Sequence, residues 1–268
     1  MLGPSSTLKP SLTVLVAAAT LLTLITLSTP AQAITYGTVD TEHTNVGSIL
    51  ADFPGFGWIQ WCSGTLLSER VFLTAGHCTD GLLAFNIPAE KVRVSFSLDI
   101  FAKTAKWLKV ESYMNHPDYN WGPTSNPHDL GVVVLAKPIH NLAPANLPPE
   151  GYLDSLETAG LLAATKFAVV GYGSDQNGET DGFRKIAFSR FLSLHDAWLY
   201  MIQNVHTGDS GTCHGDSGGP TFDTRGAVEY LVAVTSWGDA RCVATGINYR
   251  VDLASSLAFI NQAIAENA

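Results

Sequence analysis

The sequence predicts an all-β fold, on three observations. Short apolar or alternating runs recur at Val46–Leu50, Val92–Phe96, Trp107–Tyr113, Leu130–Leu135, Phe167–Gly171, Phe183–Leu194, Tyr230–Trp237 and Gly246–Val251. Turn signals such as Asn115-His116-Pro117 and Asn126-Pro127-His128 separate them, and many short strands punctuated in this way read as a sandwich or barrel. The 235 residues after position 33 suffice for one large β domain or two packed barrels. No internal repeat, coiled coil or low-complexity block interrupts the pattern.

The chain opens on Lys9, an apolar run from Leu12 to Leu27, and then Ser28-Thr29-Pro30-Ala31-Gln32-Ala33. A basic start, an apolar core and an Ala-x-Ala site read as a secretory signal peptide over residues 1–33, cleaved near Ala33. The run falls short of the roughly 20 residues that cross a bilayer, and no charged stop follows it. Cleavage would leave 14 basic against 24 acidic residues, a net charge of −10. That balance argues against nucleic acid or anionic membrane partners and suits a soluble, secreted protein. No Asn-x-Ser/Thr sequon is present, so N-glycosylation is not expected.

Leu142–Pro149 holds three prolines and is the natural linker, which divides the mature chain into residues 34–150 and 151–268. The tail changes character. Leu253, Leu257, Ile260 and Ile264 recur at helical spacing, with Asp252 placed to cap a C-terminal helix.

Four cysteines in an exported chain imply two disulfides, for which three pairings exist. They lack the CxxC or HExxH spacing of zinc sites, so neither metal nor cofactor is expected.

The run Gly215-Asp216-Ser217-Gly218-Gly219-Pro220 carries the chemistry. Read alone it is a surface turn, since Gly, Asp, Ser and Pro are turn residues. A serine hydroxyl becomes nucleophilic only beside a base and near donors for the developing charge, and glycines let backbone N–H groups converge there. Upstream, Leu73-Thr74-Ala75-Gly76-His77-Cys78 ends an apolar strand on a small-residue turn that presents a histidine. Between them, Asp129 stands at the mouth of the apolar strand Leu130–Leu135, with His128 beside it as a surface neighbour. The order is His77, Asp129, Ser217.

With these motifs the sequence resembles the chymotrypsin/trypsin-like serine proteases. The resemblance extends through Cys62-Ser63-Gly64-Thr65-Leu66-Leu67, Val169-Val170-Gly171-Tyr172-Gly173, Ser236-Trp237-Gly238 and Gly246-Ile247-Asn248-Tyr249. It implies two packed six-stranded antiparallel β-barrels, the first carrying His77 and Asp129 and the second Ser217, with a C-terminal helix on the second barrel. It implies that Ser217 is the nucleophile, His77 the base and Asp129 its orienting partner, with the N–H groups of Gly215 and Ser217 as oxyanion hole. It selects the disulfides Cys62–Cys78, worth roughly 3 kcal/mol in the chain-entropy model, and Cys213–Cys242.

The resemblance further implies an ion pair between Asp216 and the amino group of a processed N-terminus. Ile34, directly after the cleavage site, fits that place, although Thr35 and Tyr36 depart from the family pattern. The substrate pocket would be formed by Gly211, Thr212, Ser236, Trp237, Gly238 and Gly246. Trypsin-like members carry an aspartate six residues before the serine; Gly211 stands there, so an open, uncharged pocket and cleavage after bulky apolar residues are expected. Asp209 at the floor would instead favour Arg or Lys, and Asp239 is a weaker rival. His214 is expected at the pocket mouth. The implied partners are protein or peptide substrates and proteinaceous inhibitors, met by a monomer. A catalytically silent binding protein could share the fold, but all three catalytic side chains are present. Ester hydrolysis would use the same machinery.

Overall fold

Thirteen strands and three α-helices appear in the computed structural model, which describes residues 34–122 and 124–268. The expected signal peptide lies outside the described residues. In chain order come β1 (Thr38–Val39), β2 (Val46–Phe53), β3 (Gly57–Leu66), β4 (Val71–Thr74), α1 (Gly76–Ala84), β5 (Val92–Ser95), β6 (Leu108–Asn115) and β7 (Gly131–Leu135). The second half holds α2 (Tyr152–Thr158), β8 (Lys166–Gly171), β9 (Lys185–Leu194), β10 (Trp198–Ile202), β11 (Pro220–Asp223), β12 (Tyr230–Gly238), β13 (Thr245–Arg250) and α3 (Ala254–Glu266).

Two closed antiparallel rings result. The first runs β2-β3-β4-β7-β6-β5, and β5 returns to pair with β2. The second runs β8-β9-β10-β13-β12-β11 and closes where β11 pairs with β8, while β1 adds a seventh strand along β9. Closure leaves neither ring a free edge. Strands β4 and β7 are buried at every position, which is why Val71-Phe72-Leu73 and Val132-Val133-Val134-Leu135 read as continuous apolar runs rather than alternating ones.

The chain ends do not keep to their own halves. Ile34 is fully buried in the cluster around Phe167, Val169 and Leu199 of the second ring. Helix α3 was expected on the second barrel but lies against the first: Phe259 packs on His116, with ring centroids 5.0 Å apart, and the helix borders Met114 and Asn115 of β6. Asp252 does not cap it. The cap position is Leu253, without a side-chain bond. Asp252 instead receives Nε and Nη2 of the buried Arg250 guanidinium, each at 2.9 Å, and the Leu153 amide at 2.8 Å. A buried guanidinium needs a planar, bidentate acceptor, and that demand outranks an end-of-helix bond.

One ion-pair cluster fastens the N-terminal segment. The ring of His43, stacked on Phe222, meets Asp40 at 3.0 Å and Glu229 at 3.3 Å. Burial opposes its protonation, but the two carboxylates prevail and raise the pKa from 6.5 to about 9. A histidine pKa raised by folding stabilises fully below the unfolded value, and that stability is lost as pH rises through the folded value. The cluster should therefore contribute on the order of 3 kcal/mol below pH 6.5, declining to nothing above pH 9. Urea midpoints of wild type and His43→Leu measured across this window should converge at alkaline pH. A constant gap between them would refute the assignment.

Candidate active site

Register brings the histidine and aspartate together. Strands β4 and β7 pair with Thr74 opposite Gly131, so the end of one strand lies beside the start of the other. His77 follows Thr74 by three residues and Asp129 precedes Gly131 by two, at the same rim of the first barrel. The segment after β4 is helix α1 rather than the expected turn, and His77 is its second residue. Asp129 is fully buried and His77 partly exposed. Asp129 Oδ1 accepts the His77 main-chain N–H at 2.8 Å, and Oδ2 lies 3.1 Å from the ring Nδ1. An ionised carboxylate only accepts, so Nδ1 carries the proton and Nε2 presents its lone pair away from Asp129. Ser236 Oγ donates to Asp129 from the second barrel. Burial alone would raise the Asp129 pKa; the His77 charge and these donors outweigh it and hold the pKa below the usual carboxylate value.

Ser217 comes to the same seam from the other side. Strands β11 and β12 pair with Pro220 opposite Val234, which places Ser217 and Ser236 at one rim of the second barrel. The Ser217 carbonyl accepts the Ser63 amide at 2.9 Å and lies 3.7 Å from Cys78 Sγ. Gly218, at φ +78°, leaves no room for a side chain, since a Cβ would fall 2.6 Å from the Ala75 nitrogen. The barrels thus meet at the residues flanking His77 and Ser217. The amides of Asp216, Gly218 and Gly219 are bonded to the carbonyls of Cys213, Thr235 and Asp216, whereas those of Gly215 and Ser217 donate to nothing among the described residues. Gly215, at φ +92°, has its carbonyl held by Gln60 Nε2 at 2.9 Å and Ser63 Oγ at 3.0 Å.

Asp216 is buried behind this loop and accepts the amides of Gly173 (2.7 Å) and Cys213 (2.8 Å). Here burial outweighs those bonds and pushes the pKa up to about 7. No side-chain cation lies within ion-pair distance of it among the described residues. Disulfides join Cys62 to Cys78 and Cys213 to Cys242, bracketing His77 and the Ser217 loop.

A cavity of about 230 Å³ opens beside Ser217, lined by Thr212, Cys213, His214, Ser217, Thr235, Ser236, Trp237, Gly238, Asp239 and Cys242. Gly211 and Gly246 are not among its lining residues. The side chain of Gln203 lies beside both glycines: a Cβ on Gly211 would fall 2.3 Å from its Oε1 and one on Gly246 2.9 Å. Asp209 is not at the floor either. It is buried against Arg190 (2.7 Å), Lys166 (3.3 Å) and Thr207 Oγ1 (2.8 Å). Asp239 borders the cavity, with its carboxylate turned onto the amides of Val243, Ala244 and Thr245. A larger hollow of about 490 Å³ lies among Phe96, Leu108, Ile139 and Leu142, and none of the residues above borders it.

Sequence reasoning missed Gln203, the anchoring residue Gln60, and Trp121, whose exposed ring lies 5.5 Å from that of His77. None sits in a recognisable motif. His128 is half-buried rather than superficial, stacked on His116 with centroids 4.6 Å apart. Those two rings and Asp118 form the one His/Asp group among the described residues close enough to share a cation, yet His116 Nδ1 already accepts the Asp118 amide.

Comparison with known proteins agrees with this geometry. The family model described as Trypsin matches residues 51–259. Trypsin 5G1 of Aedes aegypti is 29% identical over 199 residues, covering 69% of this chain and 68% of that protein. A trypsin of Saccharopolyspora erythraea is 28% identical, covering 72% and 82%. The CLIP domain-containing serine protease B14 of Anopheles gambiae is 27% identical, covering 69% of this chain and 59% of its own length. The chain belongs to the trypsin family of serine endopeptidases. Among the described residues no helix is long and apolar enough to cross a membrane.

The close approach of Asp216 to Gly173 supplies a test. A Cβ on Gly173 would fall 2.6 Å from both the Asp216 nitrogen and its Cγ. Gly173→Ala should therefore displace the loop bearing Ser217 and destabilise the fold by about 1–3 kcal/mol. Denaturant midpoints measure this, and an unchanged midpoint would contradict the packing described.

Proposed function

We propose that the protein is a secreted serine endopeptidase that uses Ser217, His77 and Asp129 as its catalytic triad. The observation that supports this most is the buried Asp129 carboxylate, engaged by the His77 main chain and ring and by Ser236. In this reading Ser217 Oγ attacks the scissile carbonyl carbon while His77 Nε2 takes its proton. The unused N–H groups of Gly215 and Ser217 receive the oxyanion, a term worth about 3 kcal/mol per donor. His77 then protonates the departing amine, and water releases the acyl group by the same steps. Asp129 keeps the ring in the tautomer that leaves Nε2 free.

The cavity beside Ser217 takes the side chain that precedes the scissile bond. Asp209 is spent on Arg190 and Lys166, and Asp239 on backbone amides, so a substrate cation would lose its hydration without a partner. A bulky apolar or aromatic residue is the better occupant, its burial contributing roughly 1.5–3 kcal/mol.

Cleavage near Ala33 supplies the amino group for Asp216. The support is a buried carboxylate without a side-chain cation, a fully buried Ile34, and the bridge between Thr35 and Gly211 that brings the N-terminal segment to the Ser217 loop. Protein substrates and proteinaceous inhibitors are the partners of this reading, and the protein acts as a monomer.

Ser217→Ala should lower peptide hydrolysis by roughly 10⁴-fold or more while leaving the thermal midpoint within a few degrees of wild type. Retention of wild-type turnover would rule out the triad. N-terminal sequencing of the secreted active protein should begin at Ile34, and active material starting further into the chain would exclude the Asp216 ion pair.

A further inference from the structure

The positive charges are unevenly placed. Of the 14 basic residues after position 33, eight form ion pairs among the described residues. The other six are Arg93, Lys103, Lys106, Lys109, Lys137 and Arg241. All of these but Arg241 fall on one part of the first barrel. Arg93 and Lys109 stand opposite each other in the β5–β6 register. The Lys109 carbonyl accepts the Ala136 amide at 2.9 Å, which brings Lys137 alongside. Lys103 and Lys106 lie on the β5–β6 connection, where the Lys106 amide donates to Ser97 Oγ at 2.9 Å. The four lysines are exposed. Like charges placed opposite each other on a sheet destabilise it, so the fold gains nothing from this grouping.

The carboxylates of the region do not offset it. Glu69 is held by His140 at 2.9 Å, Glu111 by Arg70 and Asp52 by Lys91. Asp99 accepts the amides of Phe101 and Ala102, and Glu90 at the margin is not ion-paired. Within the same region lies the hollow of about 490 Å³, with apolar walls from Phe96, Leu108, Ile139 and Leu142 and with Lys106 and His140 at its polar part. Strand β7 leads from Gly131, beside Asp129, to Leu135, and Ile139 and Leu142 follow it. The hollow is thus at the far end of that strand from Asp129, about 14 Å further along.

We propose that the hollow and the lysines around it form a docking surface for an acidic protein segment that inserts one apolar side chain. Two features must be matched together. A sulfated polysaccharide would neutralise the lysines but leave the apolar walls in water. A peptide segment supplies both, a bulky aliphatic or aromatic side chain for the hollow and flanking Asp or Glu for the cations. Because none of the residues around Ser217 borders the hollow, such a segment and a substrate can be bound at once.

The proposal does not depend on the triad, so binding is measured on the Ser217→Ala protein, by fluorescence anisotropy. The probe is a labelled peptide with one leucine between two Asp-Glu-Asp triplets. It should bind saturably and more weakly as salt is raised. Serine in place of the leucine should weaken binding about tenfold or more. Lys106→Glu combined with Lys109→Glu should do the same, and Lys106→Ala with Lys109→Ala serves if the reversed charges prevent folding. Neither pair should change the hydrolysis of small peptide amides by the protein that retains Ser217. No saturable binding, equal binding of the leucine and serine peptides, or binding that survives both pairs of substitutions overturns the proposal. So does a heparin oligosaccharide that outcompetes the peptide, which would make the surface a polyanion site. Self-association in sedimentation that these lysine substitutions abolish would assign the surface to a second copy of the chain instead.

Discussion

The Asp129 carboxylate is the group on which the seam between the barrels depends. A buried charge with unfilled lone pairs costs several kcal/mol, so its donors are fixed as firmly as the charge itself. Those donors come from both halves of the molecule: the main chain and ring of His77 from the first barrel, and the hydroxyl of Ser236 from the second. Displacing one barrel against the other would strip a donor from a buried anion. The close approach of Gly218 to Ala75 then determines how near the two rims can come. The same contacts that join the barrels orient the His77 ring, so architecture and the proposed chemistry rest on one set of bonds.

Asp216 is the counterpart behind the seam, and its surroundings push the opposite way. Both carboxylates are buried, yet one pKa is lowered and the other raised to about 7. The difference lies in their partners. Asp129 faces an imidazole and a hydroxyl in addition to an amide, while Asp216 has, among the described residues, the two amides of Gly173 and Cys213. Two neutral donors do not replace water around a charge, and a cation at Asp216 would reverse the shift. The loop that carries Ser217 is thus anchored on a group whose charge state depends on what the N-terminal segment brings to it. In the proposed reading, cleavage near Ala33 would thereby act on loop geometry some 180 residues later.

Much of this was legible in the sequence, for identifiable reasons. Eight apolar runs became strands because periodicity and turn residues agreed there, as in Gly131–Leu135 and Tyr230–Gly238. The short β11 escaped because it begins at Pro220, inside a run that reads as turn. Helix α1 escaped because Gly76-His77-Cys78-Thr79-Asp80-Gly81 is poor helix-forming sequence, and its apolar residues follow no clear stripe. The pairing of His77 with Asp129 was recoverable from motif and order, but the register that enforces it, Thr74 opposite Gly131, was not. Asp252 was misjudged because capping is a local rule, and Arg250 imposed a stronger demand two residues away.

The pocket shows where such reading ends. Counting residues back from Ser217 finds Gly211 and infers a floor without charge, because a motif records only the residue at its own position. Volume in a packed interior does not stay empty. The space that Gly211 and Gly246 leave is claimed by a side chain from another strand end, and no spacing rule relates Gln203 to Ser217. The filling is polar where an apolar residue would have avoided an unpaired oxygen. Bulk alone therefore does not account for glutamine there. The charge of a pocket floor can be judged from one motif, but its depth and hydrogen-bonding character depend on which neighbouring strand supplies the missing volume.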